Sequence, residues 1–236
     1  MASFSPARLL SVWEHGAHRH PIDRALLLFA LAAPDTPPEQ LADAPLSRRN
    51  AALLALRSAR IGDRLIAWVD CSACGERMEF ELDADQLPSA PDEVSMPLEV
   101  AGHRFHPPTS RHLARIAKAP DAETAARELL FACAEQPDAL PRDDPALTDL
   151  LEAVEAAMDE ADPWADLSLA VHCPACGHQG GAALDVTGLL WEELESLAQR
   201  LLDDVHALAR AYGWHQRDIL AMSESRRLAY LARVQS

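Results

Sequence analysis

Most of the chain carries apolar residues at helical spacing, interrupted by two short stretches where the period drops to two. Residues 5–16, SPARLLSVWEHG, set Leu9, Leu10, Val12 and Trp13 ahead of a terminal Gly16. Residues 20–34, HPIDRALLLFALAAP, begin on Pro21, where a missing N–H costs nothing in a first helical turn, and stop before Pro34. A proline-rich connector at 36–45 has room for one helical turn. LSRRNAALLALRSARIG (46–62) offers Ser47 as N-cap, apolar Ala51, Leu53, Leu54 and Leu56, and a stop at Gly62. Further on, Thr109 or Ser110 can cap SRHLARIAKA, and Asp121 can cap AETAARELLFACAEQ. Asp144 can cap PALTDLLEAVEAAMDEA, with Pro145 at its first position. Leu190, Leu194, Leu197, Leu201 and Val205 recur at steps of three and four in a long helix that Gly213 closes. Two short helices, WHQRDILAM and SESRRLAYLARV, follow, the second capped by Ser223.

The period-two stretches are RLIAWVDC (64–71) and DLSLAVHC (166–173). Each runs into C-x-x-C-G, and a second strand-like run follows. Aligning Cys71 with Cys173 also aligns Cys74 with Cys176, Gly75 with Gly177, Leu82 with Leu184 and Asp83 with Asp185. The chain therefore holds one unit twice: strand, knuckle, strand. A third alternation about Ala101-Gly102, in the proline-rich stretch 88–108, predicts a small hairpin. The expected fold is mainly α with a small β component: a helical domain carrying a discontinuous four-cysteine zinc ribbon built from two β-hairpins. Its segments are an N-terminal helical region (1–63), a first ribbon half (64–87), a hairpin and helical excursion (88–163), a second ribbon half (164–187) and C-terminal helices (188–236), together one compact unit.

The metal assignment rests on the paired spacing. A C-x-x-C turn presents two thiolates to one ion, and two such turns complete the closed tetrahedral set of structural zinc. Cys71, Cys74, Cys173 and Cys176 are the expected ligands of one structural Zn2+ per chain. A disulfide pair would need an oxidising compartment, and MASFSPARLLSVWEHG lacks the apolar core of a signal peptide. A thioredoxin-like redox motif uses one C-x-x-C at a helix start, whereas both copies here sit between strand-like runs. Cys133 lies on an apolar helical stretch and reads as core. His172 and His178 flank the second pair and are competent ligands. Four thiolates already suffice, so both are read as supporting or surface groups.

Of 236 residues, 49% are apolar, enough for a substantial core. No apolar run approaches the ~18 residues that span a bilayer, and a soluble, cytoplasmic protein with no membrane partner is expected. The net charge of −16 is uneven: residues 67–196 carry −20 and each end +2. Residues 70–83 of the first ribbon half have one basic residue, Arg77, among five acidic ones, and the second half has none. A polyanion needs a basic footprint on the face it meets, so nucleic acid is not an expected partner. An acidic surface suits a basic protein partner better.

No catalytic constellation emerges. The chain lacks G-x-S-x-G, a P-loop, H-E-x-x-H and the Rossmann glycines. It lacks the H-x-E of zinc deaminases, and its proline sits inside C-P-A-C rather than before it. A zinc ion held by four cysteines leaves no open position for substrate. The His15, His18 and His20 cluster is irregularly spaced and reads as a polar helix end. The expectation is a protein that is not an enzyme.

The two ends carry a resemblance. LSVWEHGAHRHPIDRALLLFALAAP contains W-E-x-G and P-x-D-R-A-L, here Trp13, Glu14, Gly16, Pro21, Asp23, Arg24, Ala25 and Leu26. The ending AYGWHQRDILAMSESRRLAYL contains an aromatic-Gly-Trp unit, I-L-x-M-S and R-R-x-x-Y-L, here Tyr212, Gly213, Trp214, Ile219, Leu220, Met222, Ser223, Arg226, Arg227, Tyr230 and Leu231. Both resemble the T4-type baseplate hub assembly chaperones, including those encoded with phage-tail-like contractile injection systems. The resemblance spans about the first 35 and last 30 residues. It implies a non-enzymatic assembly factor or minor structural protein whose partners are baseplate hub or spike subunits. The residues it offers to a partner are Trp13, Arg24, Trp214, Ile219, Arg226, Arg227 and Tyr230. For Trp214, Ile219 and Tyr230 the alternative is core packing, for Arg226 and Arg227 a solvated position, and for Arg24 a helix-start ion pair worth little. The paired knuckles leave a competing reading, a zinc-ribbon adaptor or regulator acting on transcription or translation machinery.

Overall fold

Ser5 opens helix α1 (Pro6–Gly16) by accepting a hydrogen bond from the Arg8 N–H, with Pro6 in the first turn. The computed structural model describes residues 5–83, 87 and 97–234. Residues 84–86 and the proline-rich lead-in 88–96, which the sequence divides between the first ribbon half and the excursion, lie outside them. The described chain is mainly helical with three two-stranded antiparallel sheets. Its contacts group residues into two units, one of residues 1–27 with 188–236, the other of residues 28–187.

The first unit joins the chain's two ends. It holds α1, the start of α2 (Pro21–Ala32), nearly all of α8 (Val186–Tyr212), α9 (Gln216–Leu220) and α10 (Glu224–Val234). Leu10, Ala198, Leu201 and Leu220 form its core, with Trp13 and Val205 packed against them. Gly16 is required by a close approach: a Cβ there would lie 2.3 Å from the Trp191 ring. The Arg24 guanidinium sits 4.7 Å from the centroid of that ring and donates to the Gly16 and Ala17 carbonyls at 3.0 and 2.6 Å. It thereby closes the C-terminal end of α1, whose carbonyls have no partner within the helix.

The second unit holds α3 (Pro38–Ala42), α4 (Leu46–Ser58), β1 (Arg64–Asp70), β2 (Arg77–Asp83), β3 (Leu98–Val100), β4 (His103–Phe105), α5 (Ser110–Ile116), α6 (Ala122–Cys133), α7 (Asp144–Ala161), β5 (Ser168–His172) and β6 (Gln179–Ala183). β3 and β4 turn at Ala101 (φ 50°) and Gly102 (φ 79°), two left-handed residues as a tight hairpin needs. Thr109 caps α5 and Asp121 caps α6 through their side chains. Phe105, Leu130, Leu147, Leu150 and Val154 form the excursion's core together with Cys133. Burial pushes the Cys133 thiol up to about 11, so it stays protonated.

Helix α4 departs from the expected pattern. Pro45, not Ser47, is its N-cap, and Ser47 is buried inside the helix. Arg49, Asn50 and Arg57 are buried with it. Two of these polar groups work on the backbone. Arg57 donates to the carbonyls of Gly62 (2.8 Å) and Arg64 (2.8 Å), fixing the lead-in to β1. Asn50 donates to those of Trp164 (2.9 Å) and Ala165 (3.3 Å), fixing the lead-in to β5. One helix thus sets where both knuckled hairpins begin. Buried Asp162 adjoins its start, and desolvation raises that carboxyl above its ordinary range against the pull of the Ser47 hydroxyl and the Trp164 N–H.

Arg57→Met should lower stability by about 3 kcal/mol, since two part-buried carbonyls lose a charged donor, and denaturant unfolding will measure it. Asp162→Asn should raise the melting temperature at neutral pH. A carboxyl with a raised folded pKa destabilises the fold above that pKa, and the effect fades as pH falls through it toward the unfolded value. The gap between variant and parent should therefore close in acid.

Candidate metal centre

The two knuckles are built alike. In the first, the Cys71 N–H donates to the Glu76 carbonyl at 2.8 Å and the Gly75 N–H to the Cys71 carbonyl at 2.8 Å. In the second, the Cys173 N–H donates to the His178 carbonyl at 2.8 Å and the Gly177 N–H to the Cys173 carbonyl at 2.9 Å. Gly75 and Gly177 have φ of 74° and 73°, the left-handed region where a side chain is strained. Each knuckle joins a regular antiparallel pair. Asp70 faces Arg77 across the first turn, and His172 faces Gln179 across the second.

The hairpins bring the four sulfurs to one place. Cys71, Cys74, Cys173 and Cys176 have Sγ atoms within 4.8 Å of one another. The contacts cross between knuckles in a two-fold pattern, Cys71 to Cys176 at 3.7 Å and Cys74 to Cys173 at 3.7 Å. A tetrahedron with metal–sulfur arms of ~2.3 Å has edges of about 3.8 Å. A disulfide would bring two sulfurs to about 2.05 Å, and all four cysteines are free. Exposure alternates: Cys71 and Cys173 are buried, Cys74 and Cys176 exposed. Met78 packs with the two buried sulfurs, backed by Val69, Phe80 and Val171.

The thiols do not ionise independently. The Ala73 and Cys74 N–H groups aimed at the Cys71 sulfur pull that thiol down to about 6. The Glu76 N–H favours the Cys74 thiolate, but the Cys176 sulfur, desolvation and the other two sulfurs outweigh it and push that thiol up to about 12. Cys176 is raised as well: the His178 N–H and the Cys74 thiol favour its thiolate, but desolvation and the sulfurs of Cys173 and Cys71 prevail. Four thiolates at these distances repel one another strongly unless a cation sits among them. The donor set is all sulfur and suits a soft or borderline ion such as zinc, copper(I) or iron.

The histidines stay outside this set. The His178 Nε2 lies 3.2 Å from the Ser72 Oγ, bridging the knuckles, and His172 is exposed on β5. Of the residues offered to a partner, several are engaged inside the first unit. Ile219 is fully buried, and Arg227 donates to Asp204 at 2.8 Å. The Trp13 indole N–H donates to Glu195 at 3.3 Å, and Arg24 is held as described. Trp214 and Tyr230 are half-buried in a three-ring cluster with exposed Tyr212, at centroid distances of 4.5, 5.7 and 4.9 Å. Arg226 is exposed. Nothing in the residue pattern singles out Arg49, Asn50 or Arg57, save that α4 has no continuous apolar stripe.

No protein-family model, curated protein or solved structure matches the chain. No helix among the described residues is long and apolar enough to cross a membrane.

Gly75→Ala and Gly177→Ala should each cost about 1 kcal/mol by backbone strain alone. No atom outside the neighbouring residues lies within 4 Å of the added Cβ at either position. Chemical denaturation should give the two variants equal losses, as their matched φ values require.

Proposed function

We propose that the four cysteines hold one structural zinc ion, closing the paired hairpins into a zinc ribbon. We propose further that the chain is a non-enzymatic assembly factor for the baseplate hub of a contractile phage tail or phage-tail-like injection system, working in the cytoplasm. The observation that carries the first part is the convergence of four sulfurs, from knuckles 102 residues apart, at tetrahedral spacing. An ion there would be fully coordinated, with no open position for water or substrate. That suits a rigid scaffold rather than a reaction centre.

The second part rests on the resemblance of the chain's ends, and the first unit gives those motifs physical content. Gly16 and Arg24 of the N-terminal motif meet Trp191 of α8, while Tyr212, Trp214 and Tyr230 of the C-terminal motif cluster together. Trp214, Tyr230 and Arg226 remain the surface for a hub or spike subunit, joined by Tyr212 and Leu228, which is 52% exposed. Charge argues against a nucleic-acid role. The first hairpin's outward face sets exposed Ile66 and Trp68 opposite Glu81 and Glu79, and its Arg64 is paired with Glu81.

Metal analysis of the purified protein should return about one zinc per chain, lost in Cys71→Ser and Cys173→Ser, which should both melt earlier. Co-expression with the hub and spike subunits of a contractile tail should give a complex that survives size-exclusion chromatography and that Arg226→Glu weakens. Zinc without any tail complex, and with polymerase or ribosomal proteins co-purifying instead, would favour the adaptor reading.

A further inference from the structure

Beside α4 in the second unit lies a cavity of about 400 Å³, in the range of small-molecule sites. Three buried polar side chains line it: Arg49, Asn50 and Thr187, exposed by 8%, 7% and 8%. Much of the remaining wall is aliphatic, Leu113 and Leu129 included, and exposed Asp159, Asp166 and Asp185 also border the space.

Arg49 is the unusual member. Its Nε and Nη2 donate to the Asn50 Oδ1 at 3.2 and 3.0 Å, and its Nη1 donates to the Ser110 Oγ at 3.2 Å. Every acceptor is neutral. A guanidinium has five N–H donors, so two are left over. Among the described residues no ion pair forms to Arg49, although the negative charge of Asp185 acts on it. Buried charges are ordinarily paired, because desolvating a lone one costs several kcal/mol. A buried cation with spare donors, bordering a mostly aliphatic cavity, is short of an anion.

We propose that this cavity binds a carboxylate carried on an apolar body, with Arg49 as its anchor and the leucine walls taking the body. Inorganic phosphate fits poorly: it leaves the aliphatic wall unfilled and meets three aspartates. Two sources supply the required chemistry. A free aliphatic amino acid adds an ammonium that the bordering aspartates can receive. The C-terminal residue of a polypeptide supplies the same carboxylate without that charge.

Calorimetric titration of the full chain with L-leucine, N-acetyl-L-leucine and L-leucinamide tests the proposal and separates the sources. Leucinamide, which lacks the carboxylate, should bind at least about tenfold more weakly than the better of the other two. Leucine in front identifies a free amino acid, and N-acetyl-leucine in front identifies a chain end. Arg49→Gln should erase the preference for the carboxylate. Because that side chain also braces α4, Leu113→Trp is measured alongside: it keeps the guanidinium, obstructs the cavity and should weaken binding at least about tenfold. Equal binding of leucinamide, no saturable binding of any of the three, or parent-like binding by Leu113→Trp would each overturn the assignment.

Discussion

Four sulfurs gathered within 4.8 Å cannot all carry their charge unless a cation joins them. That constraint organises the second unit. The two knuckles lie 102 residues apart, and the helices α5, α6 and α7 fall between them. An ion shared by the knuckles, as proposed, would turn that excursion into a closed loop. In the chain-entropy picture a cross-link over about 100 residues removes on the order of 4–5 kcal/mol of freedom from the unfolded chain. The knuckles need little else to form: each is a short turn with two backbone hydrogen bonds and one left-handed glycine.

The four-cysteine cluster does not work alone. Through Arg57 and Asn50, α4 holds the lead-ins to β1 and β5, so the hairpins are positioned from both ends, by sulfur at the knuckle and by buried hydrogen bonds at the base. A helix that buries so many polar groups gains less from transfer out of water than an aliphatic one would. What it gains is direction, since Arg57 and Asn50 each have specific carbonyls to satisfy. The same buried polarity leaves Arg49 with donors to spare beside a cavity.

The duplicated knuckle was the most legible feature in the sequence, because Cys-x-x-Cys-Gly fixes its own local geometry and the two copies share its cysteines, its glycine and their spacing. The hairpin at Ala101-Gly102 and the caps at Thr109 and Asp121 were legible for the same reason: short-range chemistry determines them. Tertiary context decided the rest. Ser47 reads as an N-cap by residue type, yet Pro45 takes that place and Ser47 is buried within the helix. Asn50 and Arg57 carry no pattern that marks them as buried, and only the carbonyls they meet, from segments distant or just downstream, explain their burial. Ile219 reads as core or as a contact residue and Arg227 as a solvated or a contact group, and their surroundings place both inside.

On the proposed reading, stability and recognition fall to different parts of the chain, the four-cysteine cluster to the second unit and the exposed aromatic and basic groups of α8 and α10 to the first. X-ray absorption at the zinc edge tests the clasp most directly. A single shell of four sulfur neighbours at about 2.3 Å is expected. A shell containing nitrogen or oxygen, or protein that carries no zinc when prepared under reducing conditions with the metal supplied, would contradict it.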